Sequence, residues 1–238
     1  MKKKSREEDL NQFERMIRYK FNDIELLDQA LSHSSYIRES KEESLKDNER
    51  LEFLGDAFFD AVIGECLYKM HPQAEEGKLS KMRASIVCEQ SLAKVAGRLR
   101  LADYILLGHG EEKNGGRSRA SILADATEAV VGAIYLDGGY EAAKEFVTYA
   151  FEKELIDAKE GKIVNRDYKS RLQELLQAKG IHEISYILDK EEGPDHDKTF
   201  TVRLEICGRE ISHGTGKSKK NAEQDAAKNA IERGNNAL

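Results

Sequence analysis

The chain has no tryptophan, two prolines and three cysteines in 238 residues. Scarce proline leaves long segments free to stay helical, because proline is the residue that removes a backbone donor and clashes with the preceding turn. The cysteines, Cys66, Cys88 and Cys207, are odd in number, far apart and form no Cys-x-x-Cys pair. That pattern excludes a disulfide framework or a cysteine zinc site and fits a reducing compartment. Long apolar runs are missing too. The longest, Ala129 to Leu136, is far too short to span a bilayer. Met1 to Asp9 is basic and then acidic with no apolar segment behind it, so a secretory signal is not expected and a cytoplasmic location is. A surplus of positive charge is also absent. Net charge is −6, with 25 Lys+Arg against 31 Asp+Glu in residues 1–164 and 13 of each in residues 165–238. A polyanion would therefore have to be met by local basic patches or bound cations rather than by overall charge.

Charge itself is plentiful, at 34% of residues, and over residues 7–155 it alternates with apolar residues at helical period. Helices are expected at Asp9–Tyr19, Ile24–Leu31, Asn48–Met70, Glu75–Val87, Glu89–Leu99, Arg119–Leu136 and Tyr140–Ala158. Turn chemistry separates several of them, at His71-Pro72, Gly108-His109-Gly110, Gly115-Gly116 and Asp137-Gly138-Gly139. The polar stretch around Gly161 reads as a linker, which divides the chain into a domain at 1–156, a linker at 157–166 and a second domain at 167–235. In the second, a helix over Tyr168–Lys179 is closed by Gly180. Ile184, Tyr186 and Leu188, and then Phe200, Val202, Leu204 and Ile206, alternate as strands do. A short strand over Arg209–Gly214 leads to a helix over Ser218–Arg233, whose Ala222, Ala226 and Ala230 form a small-residue face. The expected fold class is an all-α N-terminal domain followed by a small α+β domain of order α-β-β-β-α.

Two acidic clusters stand out. In Glu49-Arg50-Leu51-Glu52-Phe53-Leu54-Gly55-Asp56, a helix turning about 100° per residue brings Glu49, Glu52 and Asp56 within roughly 60° of one another. Leu51, Leu54, Phe58 and Val62 collect on the opposite face. Asp125 and Glu128 repeat the spacing inside Ala120–Leu136, where they are the only charged residues. Grouped carboxylates repel unless a cation or a proton neutralises them, and clustered oxygens are what Mg²⁺ binds. A solvated face of an amphipathic helix would look the same for the first cluster. It suits the second less well, because a helix apolar nearly all round is buried and lone buried acids are costly.

Asn48-Glu49-Arg50-Leu51-Glu52-Phe53-Leu54-Gly55-Asp56-Ala57 closely resembles the signature of the ribonuclease III family. Ala30-Leu31-Ser32-His33-Ser34-Ser35-Tyr36 precedes it, and Glu76-Gly77-Lys78-Leu79-Ser80-Lys81-Met82-Arg83-Ala84 and Ser121–Ala129 follow, in that family's order. The resemblance implies a nuclease domain with catalytic positions at Asp56 and Glu128 and metal positions at Glu52, Asp125 and Glu128. Glu49 and Glu76 match further acids lining the family's catalytic valley, and Phe53 matches its dimer contact. It further implies Mg²⁺, with Mn²⁺ able to substitute, no small-molecule cofactor, no membrane, and a homodimer that cuts both strands of a duplex. Asp60 also lies on the acidic face and reads as solvated; His33 reads as a structural helix residue.

Gly214-Thr215-Gly216-Lys217-Ser218-Lys219-Lys220 through Ala227, the helix Ser170 to Gln177 and the loop Gly193-Pro194-Asp195-His196 resemble a double-stranded RNA-binding domain. By that resemblance Ser170, Gln173, Glu174 and Gln177 meet one minor groove, Pro194 and His196 a second, and Lys217, Lys219 and Lys220 the phosphates between. Physical chemistry agrees for the lysines: a helix start favours anions. A-form RNA hides its bases in a deep major groove, so a reader works through phosphates and 2′-hydroxyls. The implied activity is metal-dependent endoribonucleolytic cleavage of double-stranded RNA, leaving 5′-phosphates and short 3′ overhangs, in maturation of ribosomal and other structured RNA. The alternative is a non-cleaving RNA-binding dimer with a degenerate nuclease fold; loss of an acid would favour it, and Glu52, Asp56, Asp125 and Glu128 are all present.

Overall fold

In the computed structural model the chain forms two compact units, Met1–Ile163 and Val164–Leu238. The structure describes residues 5–40, 45–161, 168–194 and 198–233.

The first unit is helical: α1 (Arg6–Ile17), α2 (Ile24–Ala30), α3 (Ser34–Glu39), α4 (Glu49–Met70), α5 (Glu76–Ile86), α6 (Glu89–Arg98), α7 (His109–Lys113), α8 (Ala120–Ala150) and α9 (Glu152–Lys159). α1 starts three residues before its expected position because Ser5 and Glu8 form a reciprocal capping box. The central pair is α4 against α8, and the other helices close around it on a core that includes Phe13, Leu27, Phe59, Ile63, Ile134, Val147 and Phe151. The buried stripe of α4 is Leu51, Gly55, Phe59, Val62, Ile63 and Leu67. The expected apolar face is thus corrected by about a residue: Leu54 and Phe58 are only half-buried.

The break expected at Asp137-Gly138-Gly139 is present: α8 is two helical segments that meet at a non-helical Gly139. Gly139 takes φ 77° and ψ −170°, a conformation open to glycine, and helical geometry resumes to Ala150. Asp137 anchors the kink by accepting from the Tyr19 hydroxyl at 2.6 Å and the Asn22 and Asp23 amides at 2.9 and 2.8 Å. Helices α3 and α7, too short to show periodicity, are tied together by Glu39, whose carboxylate accepts from the His109 and Gly110 amides at the start of α7. α9 runs to Lys159, into the stretch read as linker, and residues 162–167 lie outside the described ones.

The second unit has α10 (Tyr168–Gln177), an antiparallel sheet of β1 (Ile184–Glu192), β2 (Thr199–Ile206) and β3 (Arg209–Gly216) in that order, and α11 (Lys219–Arg233). Its order is the expected α-β-β-β-α. β1 carries a bulge between Leu188 and Lys190, and Leu188, which stays paired with Val202, is exposed. Both helices pack on one face of the sheet through Leu172, Leu176, Leu204, Ile206, Ala226, Ala227 and Ala230. The small-residue face of α11 is matched across the contact by Gly214, where an added Cβ would lie 2.0 Å from the Ala226 nitrogen. No described helix is long and apolar enough to cross a membrane.

Candidate active site and nucleic-acid interface

The acidic group is built at the crossing of α4 and α8, and two glycines make that crossing. A Cβ on Gly55 would sit 1.8 Å from the Glu128 carbonyl oxygen, and one on Gly132 would sit 2.3 Å from the Leu51 carbonyl oxygen. Backbone therefore lies against backbone, closer than any side chain would permit. Glu52 lies one turn before Gly55 and Glu128 one turn before Gly132. Each then projects a carboxylate into the same space.

One oxygen from each of Glu52, Asp125 and Glu128 lies within 4.8 Å of the others, and all three residues are half-buried. Burial and crowding push these carboxyls up. The largest shift is at Glu128, to about 8, by burial first and then by Asp56, Asp125, Glu52 and Asp60. Glu52 is raised by burial and then by Asp125, Glu49, Asp56 and Asp47. Asp125 is raised chiefly by burial, with His33 acting in the opposite direction and Glu89 adding to the rise. Such a group is short of positive charge, and its all-oxygen donor set fits a hard divalent cation.

The remaining sequence-derived positions fall around this group or away from it. Asp56 is exposed on α4 and acts on Glu52 and Glu128 through its charge without belonging to the trio. Glu49 is exposed at the first position of α4. Glu76 stands apart from the trio at the first position of α5, exposed, and accepts from the Ser80 hydroxyl at 2.7 Å. Phe53 is 80% exposed, the most open large apolar side chain described. Asp60, read as solvated, is half-buried instead. Its Oδ1 is enclosed without a hydrogen-bond partner among the described residues, and its Oδ2 stands 4.0 Å from Arg83 Nε. Burial pushes its carboxyl up while Arg83 opposes the rise. Two residues escaped the sequence reading, Gly55 and Gly132, whose signal was a glycine inside an apolar helical stripe.

In the second unit Gln173, Glu174 and Gln177 are exposed on α10, with Ser170 half-buried beside them. Pro194 is exposed; His196 lies outside the described residues. Lys217, Lys219 and Lys220 are exposed around the start of α11, where Ser218 Oγ accepts from the Asn221 amide at 3.1 Å. Lys217 Nζ reaches Thr199 Oγ1 at 3.2 Å, so it bridges to the start of β2.

A helical unit with converging carboxylates, followed by a sheet-and-helix unit with lysines at a helix start, defines a nuclease-type protein with a nucleic-acid-binding module. Comparison with known proteins makes the class specific. A family model described as Ribonuclease-III-like matches residues 23–155, and the double-stranded RNA binding motif matches residues 168–233. Proteins named Ribonuclease 3 from Desulforamulus reducens and Enterococcus faecalis are 49% and 52% identical over 226 and 213 residues. Those alignments cover 95% and 89% of this chain and 92% and 91% of theirs. A solved nuclease domain of ribonuclease III from Campylobacter jejuni, in which flexibility was described in a region involved in dimer formation, is 46% identical with a TM-score of 0.57. It covers 61% of this chain and 97% of its own. The chain belongs to the ribonuclease III family.

Proposed function

We propose that this protein is an endoribonuclease that hydrolyses phosphodiester bonds in double-stranded RNA, using divalent cations held by Glu52, Asp125 and Glu128. The observation that carries this reading is the convergence of those three half-buried carboxylates at the α4–α8 crossing, in a chain that also carries a double-stranded RNA binding motif. Mg²⁺ is the ion we assign, with Mn²⁺ as a substitute, because the donors are all carboxylate oxygens. When bound, such an ion supplies an activated water and relief of charge on the leaving oxygen. The chain's own residues do the rest. Glu128 and Glu52 hold negative charge in a half-buried setting that only a cation or a proton relieves, and Asp56 completes the site from its exposed edge. Glu49 and Glu76 are assigned to the walls of the valley that receives the duplex.

The exposed Phe53 is assigned to the contact between two copies of the chain, giving a homodimer that cuts both strands. Ser170, Gln173, Glu174, Gln177, Pro194 and His196 are assigned to the minor grooves of the RNA and Lys217, Lys219 and Lys220 to its phosphates. The division into a nuclease domain at 1–156, a linker at 157–166 and an RNA-binding domain at 167–235 belongs to the same proposal. So do a cytoplasmic site of action, products with 5′-phosphates and short 3′ overhangs, and roles in maturing ribosomal and other structured RNA. The test is incubation of the purified protein with long duplex RNA, with and without Mg²⁺, followed by analysis of product ends. Full cleavage in excess chelator would remove the metal assignment, and intact RNA with Mg²⁺ present would remove the enzymatic one.

A further inference from the structure

We propose that the first unit carries, at the end of α1, a pocket for the phosphate monoester of a nucleotide, either free or at the end of an RNA strand. A cavity of about 340 Å³, open to solvent, is lined there by Asn11, Glu14, Arg15, Arg18, Tyr19 and Lys20, none of which belongs to the acidic group. That volume lies at the small end of the range for small-molecule sites. Three cations and one carboxylate leave a surplus of two positive charges, in a part of the chain where acids outnumber bases by 31 to 25. The carboxylate is already committed. Glu14 is buried, with Oε1 accepting from the Phe21 amide at 2.8 Å and Oε2 from Lys20 Nζ at 2.8 Å. Lys20 Nζ also donates to Asn11 Oδ1 at 3.3 Å, so two acceptors of the lining hold the ammonium in place and its third N–H is left for a ligand.

The dipole of α1 accounts for a cation in its last turn, and Arg15 is that cation. It gives no reason for Lys20 to turn back onto the helix from beyond its end. Nor does it explain why Arg18 takes φ 57°, a left-handed conformation that costs any residue with a Cβ. Arg18 is exposed and holds its guanidinium 4.1 Å from the centre of the Tyr149 ring, on the second segment of α8. One face of that plane is covered, and the other is open to a second flat group; bases stack on guanidinium planes in this way. Arg15 is exposed too, and neither arginine joins an ion pair among the described residues. The Tyr19 hydroxyl donates to Asp137 at 2.6 Å, which leaves its ring to the wall of the cavity. An anionic head between Arg15 and Lys20, with a flat group on Arg18, describes a nucleotide. A phosphate monoester carries close to two negative charges at neutral pH, which matches the surplus, whereas a phosphodiester inside a strand carries one.

The test is calorimetric titration of the full-length protein with AMP, adenosine and inorganic phosphate, in chelator so that no cation at the acidic group recruits the nucleotide. AMP is expected to bind at least about 10-fold more tightly than either fragment, and Arg15→Ala is expected to weaken it about 10-fold or more, the usual cost of losing a charged hydrogen bond. Arg18→Gly separates binding from folding. Glycine adopts the left-handed φ freely, so ligand-free Arg18→Gly is expected to unfold at or above the wild-type temperature while AMP affinity falls about 10-fold. Earlier unfolding with unchanged AMP affinity would make Arg18 a structural partner of Tyr149 and overturn its role here. A Lys219→Ala/Lys220→Ala protein is expected to bind AMP as wild type does; weaker binding there would place the nucleotide on the second unit and overturn the pocket. AMP bound no better than its fragments, or equally by wild type and both arginine variants, overturns the proposal outright. A single-stranded dinucleotide with a 5′-phosphate distinguishes the two sources of the ligand. Affinity within about 3-fold of AMP assigns the pocket to strand ends, and affinity more than about 10-fold weaker assigns it to free nucleotides.

Discussion

Glu128 sits where burial and four neighbouring carboxylates all act against its ionisation. Because its folded-state pKa, about 8, lies above the ordinary 4.5, the folded protein holds that proton more tightly than the unfolded chain does. Stability from this group therefore declines as pH rises between those two values and levels off above the higher one. In chelator, a series of thermal melts is expected to show the wild type losing stability across that window, with Glu128→Gln flatter and more stable at its alkaline end. Adding Mg²⁺ is expected to raise the wild-type melting temperature at alkaline pH and to do little for the variant, since a ligand stabilises only the state that binds it. The same substitution is expected to reduce cleavage of duplex RNA by orders of magnitude while leaving RNA binding by the second unit in place. Near-normal cleavage by Glu128→Gln would remove the residue from the site.

At the scale of elements, the α4–α8 crossing carries both the core and the chemistry. Gly132→Ala would drive a methyl against the Leu51 carbonyl at 2.3 Å, a backbone atom that cannot swing away. Overpacking costs about 1–3 kcal/mol where side chains can yield, and this contact belongs at the upper end. For a unit of this size that is a fall of roughly 6–12 °C in melting temperature. Gly97→Ala is the control. It lies within α6 and its added methyl meets nothing within 4 Å, so a gain of up to about 1 kcal/mol is expected from helix propensity. If calorimetry shows the two substitutions to be equally harmless, the close crossing is not what holds Glu52 beside Glu128.

On the scale of the whole molecule the question is how a chain of net charge −6 holds a polyanion. Our answer places affinity in a few lysines and cutting in cation-loaded acids. A Lys219→Ala/Lys220→Ala protein is expected to bind duplex RNA more weakly irrespective of sequence. Its plot of log affinity against log salt is expected to flatten by roughly one unit per lost phosphate contact. An unchanged slope would return these lysines to solvent. Phe53 is 80% exposed on the helix that carries the acids, and we assign it to the contact between copies. Phe53→Glu is expected to shift sedimentation from dimer toward monomer, and a wild type already monomeric at micromolar concentration would contradict the assignment.

Much of this was legible from residue order, for reasons of periodicity. Asp125 and Glu128 were conspicuous because they interrupt an apolar helix, and the alternation from Phe200 to Ile206 could be nothing but a strand with one buried face. The Ala222, Ala226 and Ala230 face was equally plain, since helical spacing is local. What periodicity could not supply was anything set by a neighbour distant in sequence. That the two segments meeting at Gly139 are anchored there depends on Asp137 being held by Tyr19, Asn22 and Asp23. The shift of the buried stripe of α4 to Gly55 and Phe59 depends on how near α8 comes, and Asp60 loses its solvation to packing beside Arg83. The sequence by itself determined which helices carry acids and which face of each they share, because a helix repeats its own geometry. Only the tertiary structure decided that Glu52, Asp125 and Glu128 meet, because that takes two glycines, 77 residues apart, letting two backbones touch.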